Sequence, residues 1–379
     1  MSQKEPLSPA LRTLLALAAS VVALAGLYLA RDIAGPLILG AVLVIIVHPV
    51  RVPLERRGWP RWLATTTVIV VAYLILAALA WMLYYAGTQF VRLVIDFEQQ
   101  LRQSADSLLA WLQSVGLDQQ AADAAASALQ PSTLLSLATS LGGTALGVAT
   151  AFFFVLAYVI FMSADAARYQ QAPELFGQQA HATIARVRTF CTGVRRYYVV
   201  NASFGAVVAI VDGLALWALG IPVPAVWAIL AFVTNFIPNI GFVLGVIPPA
   251  LLALVVGGWP MMLAVLAIYS VVNVVLQVLV QPKFVSDAVS LSLTLSFFSV
   301  IFWTFVIGPL GAILSIPLTL LVRAFVLEGD PGAWWLRWLS GDTAAAPPRP
   351  APVDDPPAEA PTRRSRRAAR RRDRVRDAR

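Results

Sequence analysis

Cysteine, histidine and lysine are almost missing from this chain. The single cysteine, Cys191, excludes an intrachain disulfide and a cysteine-based metal cluster. Two histidines, His48 and His181, leave little for a zinc site or a histidine-based triad. Charge is scarce too. Asp, Glu, Lys and Arg make up 13% of residues, about half the share in a soluble globular domain. No Gly-x-x-x-x-Gly-Lys-[Ser/Thr] loop is present, so nucleotide hydrolysis is not expected to power the protein. No His-Glu-x-x-His pair occurs, and no nucleophile is paired with a histidine base. Neither catalysis nor a bound cofactor or metal is expected.

Apolar residues are in excess, at 59% of 379 residues with a mean hydropathy of +0.76. One compact core cannot hide that much apolar surface, so an all-α polytopic membrane protein is the class that fits. The net charge of +8 is a property of the tail. Residues 363–379 hold ten Arg against two Asp, and residues 1–362 balance at zero.

Runs with little or no charge occupy 13–30, 33–50, 62–87, 142–162, 197–220 and 260–280. Even the shortest reaches about 27 Å as a helix, enough to cross a hydrocarbon core. The first follows Lys4 and Arg12, as a signal peptide would, but it is long and leads straight into the second. It reads as a retained anchor. Two more runs, 222–257 and 291–322, are long for one crossing and short for two. Pro238, Gly241, Pro248 and Pro249 interrupt the first, and Gly308, Pro309, Gly311 and Pro317 the second. Backbone groups freed by such breaks cannot face lipid and must line a cavity or be buried in protein. The chain therefore reads as about eight hydrophobic segments, two of them broken into re-entrant hairpins or paired short spans.

Loop charge sets the orientation. The 51–61 loop carries Arg51, Arg56, Arg57 and Arg61 against Glu55, and residues 163–196 carry five Arg against two acids. Residues 88–141 carry two Arg against five acids. Both termini then face the cytoplasm, and the two broken runs enter from opposite sides as an inverted pair. Five parts result: a three-span unit at 1–87, an outward amphipathic segment at 88–141, and a fourth span with a cytoplasmic amphipathic segment at 142–196. A transport core follows at 197–325, then a cytoplasmic tail at 326–379, disordered and Arg-rich from about 343.

Phe90, Val94, Phe97, Leu101, Ala105, Leu108 and Leu112 form a helical stripe outside the membrane. It suits local packing against 131–141 or contact with another subunit, and the third span is expected to continue into it. Residues 174–196 mix apolar and Arg positions in a pattern that suits a helix lying on the inner membrane surface. The Arg-rich tail suits anionic lipid. It lacks interleaved aromatics, so nucleic acid is not an expected partner.

An ionisable residue inside a span is a functional candidate. Asp212 is the good case, with no basic residue in its own span. It could take up a proton or cation, or be an acid reaching water at the outer end of its span. Amides cluster in the same half of the chain: Asn201, Asn235, Asn239, Asn273, Gln277 and Gln281. The last two and Asn273 recur every four residues on one helical face. Such amides either join helices or line a polar path.

Several motifs in residues 201–323 carry a resemblance. They are Gly220-Ile221-Pro222, the Asn235 to Gly241 stretch Asn-Phe-Ile-Pro-Asn-Ile-Gly, Ile247-Pro248-Pro249, Gln281-Pro282, Phe302-Trp303, and the run from Ile307 to Thr319. In these the sequence resembles the autoinducer-2 exporter family, or PerM-like permeases, with a matching layout over roughly residues 10–325. The resemblance implies a bacterial inner-membrane transporter, exporting a small signalling molecule in some members and exchanging sodium or lithium for protons in others. Homo-oligomers are plausible on the same ground. The sequence departs from the family pattern at Ser286 to Ser292, where relatives often carry a glycine-rich stretch. It also departs at Gln281, where many relatives have an acid. If that acid carries coupling ions elsewhere, Asp212 is the residue here that could replace it. The expected function is a secondary or gradient-driven exporter of a small solute. The alternatives are a sodium(lithium)/proton antiporter and a non-transporting membrane organiser working through the outer helix and the tail.

Overall fold

The computed structural model describes residues 8–114, 116, 118–127, 130–142, 145–169, 172–176, 180–281, 291–327 and 334–341. The basic tail and the Pro282–Ser290 stretch lie outside these residues. Among the described residues there is no strand, and five helices are long and apolar enough to cross a bilayer.

Helix α1 (Pro9–Leu29) begins where Ser8 accepts a hydrogen bond from the Leu11 amide, with Pro9 in the first turn. Helix α2 (Arg31–Val47) comes after the single residue Ala30. A short α3 (Arg51–Arg56) leads to α4 (Arg61–Asp96), which runs unbroken from the third span into the outer segment. Beyond it come α5 (Glu98–Ser114), α6 (Gln119–Ser127) and α7 (Pro131–Gly142). The outer stripe is satisfied within its own chain. Val94, Leu101 and Ala105 are buried, and α5 packs on α6, α7 and the long helix that starts at Gly241. Trp111 of α5 lies 5.3 Å from Trp259 there.

Helix α8 (Ala145–Tyr169) packs with α2 and α4, where the small residues Ala64 and Ala72 flank buried Val68. Small side chains let membrane helices approach closely. After α9 (Ala172–Phe176) comes α10 (His181–Ala218), a continuous helix of 38 residues. This corrects the expectation of a helix lying on the inner surface. From 181 onward that segment is the start of α10, because no proline interrupts 181–218. His48 lies close to Arg51, Glu55 and Arg195, so the far end of α2 and the Arg-rich part of α10 share one basic face.

Each broken run forms a helical hairpin. In hairpin one, α11 (Pro224–Thr234) turns at 235–240 into α12 (Gly241–Asn273). Helix α11 is about 16 Å long, roughly half a hydrocarbon core, so it enters and turns back. The α12 range holds two helices, because the backbone at Gly258 is non-helical (φ 69°, ψ −167°). The chain turns back there, since Phe242 of the first arm and Asn273 of the second line one cavity. The second arm is the separate 260–280 span that the sequence suggests, ending in a π-helical turn at Val274–Val280. In hairpin two, α13 (Leu293–Ile307) turns at Gly308 into α14 (Pro309–Val322), which ends in a second π turn at Arg323–Leu327. A short α15 (Trp334–Leu339) comes last. Pro238, Gly241, Gly308, Pro309 and Gly311 lie at or beside the turns. Pro248 and Pro317, expected to help break the runs, are instead inside continuous helices.

The tips face opposite ends of the bundle. Ile307 and Leu310 of hairpin two pack on Gly35 near the start of α2, at the end away from Arg51. Hairpin one reaches the Arg195 end of α10, where Phe236 stacks on Tyr198 at 6.1 Å. Tyr198 also explains how Pro317 is tolerated. Proline has no amide hydrogen, so the carbonyl four residues back, Ile313, loses its helical donor. The Tyr198 hydroxyl donates to that carbonyl at 3.0 Å. Tyr198→Phe should destabilise the protein by about 1–2 kcal/mol. In a Pro317→Ala background, where residue 317 regains its amide hydrogen, it should cost much less. Thermal unfolding of the four proteins in detergent reads this coupling directly.

Candidate functional site

Helix α10 turns one face toward hairpin one. Asn201, Val208 and Asp212 share that face and are buried. The turn of hairpin one brings in Thr234 and Asn235, and α12 with its π turn brings in Tyr269, Asn273 and Gln277. Together they surround a cavity of about 20 Å³. That volume accommodates about one water.

Asp212 is 2% exposed, so it does not reach water at the end of its span. Among the described residues, no Lys, Arg or His lines its cavity. One carboxylate oxygen, Oδ1, has no hydrogen-bond partner among the described residues, nor have the Tyr269 hydroxyl and Asn273 Oδ1. These three buried oxygen atoms belong to residues that line one small space. A buried carboxylate without a cationic partner costs several kcal/mol in its charged form. It is satisfied by a proton or by a small cation. The neighbouring Asn273 and Tyr269 oxygens are the hard donors such an ion prefers.

Two hydrogen-bonded rungs lie beside the cavity. Gln277 Nε2 donates to Asn235 Oδ1 at 2.6 Å, and Gln281 Nε2 donates to Asn201 Oδ1 at 2.8 Å. Asn235 Nδ2 also donates to the Asn201 carbonyl at 2.8 Å. The structure therefore brings six of the seven sequence candidates together: Asp212, Asn201, Asn235, Asn273, Gln277 and Gln281. Asn239 is not among them. It is exposed at the hairpin tip with φ 62°, a left-handed conformation that asparagine tolerates better than most side chains. It makes the turn and does not line the cavity. Asn239→Gly should leave stability nearly unchanged, and Asn239→Leu should lower it by about 1 kcal/mol, read by thermal unfolding.

Tyr269, Thr234 and Tyr198 escaped the sequence reading. Tyr269 could have been found, since it sits one turn before Asn273 and extends the Asn273, Gln277, Gln281 stripe at the same spacing. Tyr198 carries no such signal. Its partner is a carbonyl freed by a proline far along the chain.

Known proteins resemble this chain over most of its length. The family model described as AI-2E family transporter matches residues 17–329. The AI-2 transport protein TqsA of Escherichia coli (strain K12) is 30% identical over 341 residues, covering 88% of this chain and 96% of the relative. The putative transport protein YhhT of the same organism is 27% identical, covering 90% and 97%. A putative transport protein of Haemophilus influenzae is 26% identical, covering 87% and 96%. Together with the apolar helices long enough to span a bilayer, they mark a multi-pass protein of the bacterial inner membrane that transports a small solute. The chain belongs to the AI-2E transporter family.

Proposed function

We propose that this protein is a secondary transporter that exports a small solute, with the Asp212 cavity as the site where a proton or small monovalent cation couples to the movement. One observation carries this reading. A buried carboxylate without a basic partner among the described residues shares an ion-sized space with two other oxygens that lack one there. The size decides what the cavity holds. Pockets for organic ligands run to about 300–1,000 Å³, far above the volume here, so the solute takes a path that opens in another conformation. TqsA is named for transport of AI-2, which makes a small signalling molecule a reasonable class of solute to try first.

The same cavity favours a second reading, in which the cation is itself the cargo and the protein exchanges sodium or lithium for protons. Proteoliposomes with an internal pH dye separate the two. Adding sodium or lithium outside should change the internal pH. A change that needs a loaded organic solute supports coupled export, and a change without one supports antiport. A folded preparation with neither a cation-dependent pH change nor solute efflux would contradict the reading.

A further inference from the structure

We infer that the two amide rungs joining Asn201, Asn235, Gln277 and Gln281 are the closed inner gate of the Asp212 cavity. The gate opens when the π-helical turn carrying Gln277 reverts to α-helix. This rests on the reading of the cavity as a coupling site and adds which way that site opens and what holds it shut.

The rungs lie on one side of the cavity only. Asn201 sits near Arg195 on the basic, cytoplasmic face, and Asp212 lies about 16 Å further along α10. Gln277 and Asn235 border the cavity, and Gln281 and Asn201 form the next rung toward the basic face. On the other side of Asp212 the packing is apolar. Leu216, Ile221, Trp227, Ala253 and Val265 are each at most 2% exposed and belong to one cluster. A hydrated ion entering from that side would have to part a close-packed apolar core. From the basic face it meets amides, whose mutual hydrogen bonds exchange for bonds to water at small net cost.

The opening device is local. Gln277 lies within the π turn at Val274–Val280, and Gln281 is its C-terminal cap. A π turn holds one residue more than an α-helical path would. Reversion rotates the chain beyond the turn by roughly 100°. Both glutamines would leave their partners in one motion, whereas two independent side-chain flips would not be concerted.

Cysteine accessibility tests this. In a Cys191→Ser background, Asn273→Cys places a thiol in the cavity wall. Inside-out vesicles expose the basic face to a membrane-impermeant methanethiosulfonate. Modification should be slow with the rungs intact, and about tenfold faster with Gln281→Ala or Asn201→Ala, the shift expected for one lost hydrogen bond. Right-side-out vesicles should show no such acceleration. Tyr269→Cys is a second reporter should Asn273→Cys fail to fold. A rate indifferent to both rung variants, or faster modification from the opposite face, overturns the gate. Labelling needs no transport, so the two readings fail separately. Indifferent labelling beside an intact cation-driven pH change, measured in protein that keeps Asn273 and Tyr269, removes the gate alone. Rung-dependent labelling without any pH change in protein that keeps Asn273 and Tyr269 removes the coupling reading alone.

Discussion

Asp212→Asn is expected to abolish ion-coupled flux while leaving the protein folded and inserted. The two side chains have nearly the same shape, and the Oδ1 atom that changes chemistry makes no hydrogen bond to the described residues. No packing is lost, and a buried ionisable group is removed, so stability should change by less than about 1 kcal/mol or rise. Function should respond in the opposite way, because an amide neither binds and releases a proton nor offers a full charge to a cation. Asp212→Glu makes a useful comparison. It keeps the charge but pushes an extra methylene into a cavity of about 20 Å³. Residual, weakened coupling is the expected outcome. The pH-dye assay in proteoliposomes, paired with size-exclusion profiles of each variant, checks both.

Gly311→Ala should be the most damaging single methyl addition among the described glycines, with Gly241→Ala beside it. In each hairpin a glycine of the return arm lies against a backbone carbonyl of the incoming arm. For Gly311 the carbonyl is that of Trp303, and for Gly241 that of Thr234. A Cβ at either position would overlap the carbonyl group, and backbone cannot swing aside as a flexible side chain does. The hairpin would have to splay, which also pulls on the chain from Trp303 Nε1 to Thr319 Oγ1 (3.0 Å) and on to Ser299 Oγ (2.8 Å) in hairpin two. The expected cost is about 3 kcal/mol or more, the upper end of the overpacking range. Little monodisperse protein should be recovered in detergent. Gly26→Ala is the control. Nothing lies within 4 Å of its added methyl, so its yield and thermal midpoint should match wild type.

The membrane class, the spans and both hairpins were legible in the sequence because they arise from local rules. Apolar run length sets the spans, and Pro238 to Gly241 and Gly308 to Gly311 mark the turns. Local rules failed where the outcome depends on distant packing. Proline does not by itself end a membrane helix. Pro317 stays helical because Tyr198 serves the carbonyl it frees, and that partner is invisible along the chain. Residues 174–196 read as a surface helix because their Arg and apolar residues alternate. The same pattern fits the projecting end of a long span, and only continuity of α10 distinguishes the two. The site was legible in its polar members, since a lone acid and a stripe of amides are rare inside apolar runs. Asn239 shared that rarity for another reason, the left-handed backbone of the tip. Tyr269 was legible only through its place on the Asn273, Gln277, Gln281 stripe, because a tyrosine in an apolar helix is otherwise ordinary.

Proton release from purified protein in weakly buffered detergent solution tests most directly whether Asp212 alternates between a proton and a small cation. Adding lithium or sodium to the wild type should release protons in a saturable step, and Asp212→Asn should release none. No release from folded wild type, or equal release from both proteins, would contradict that role for Asp212.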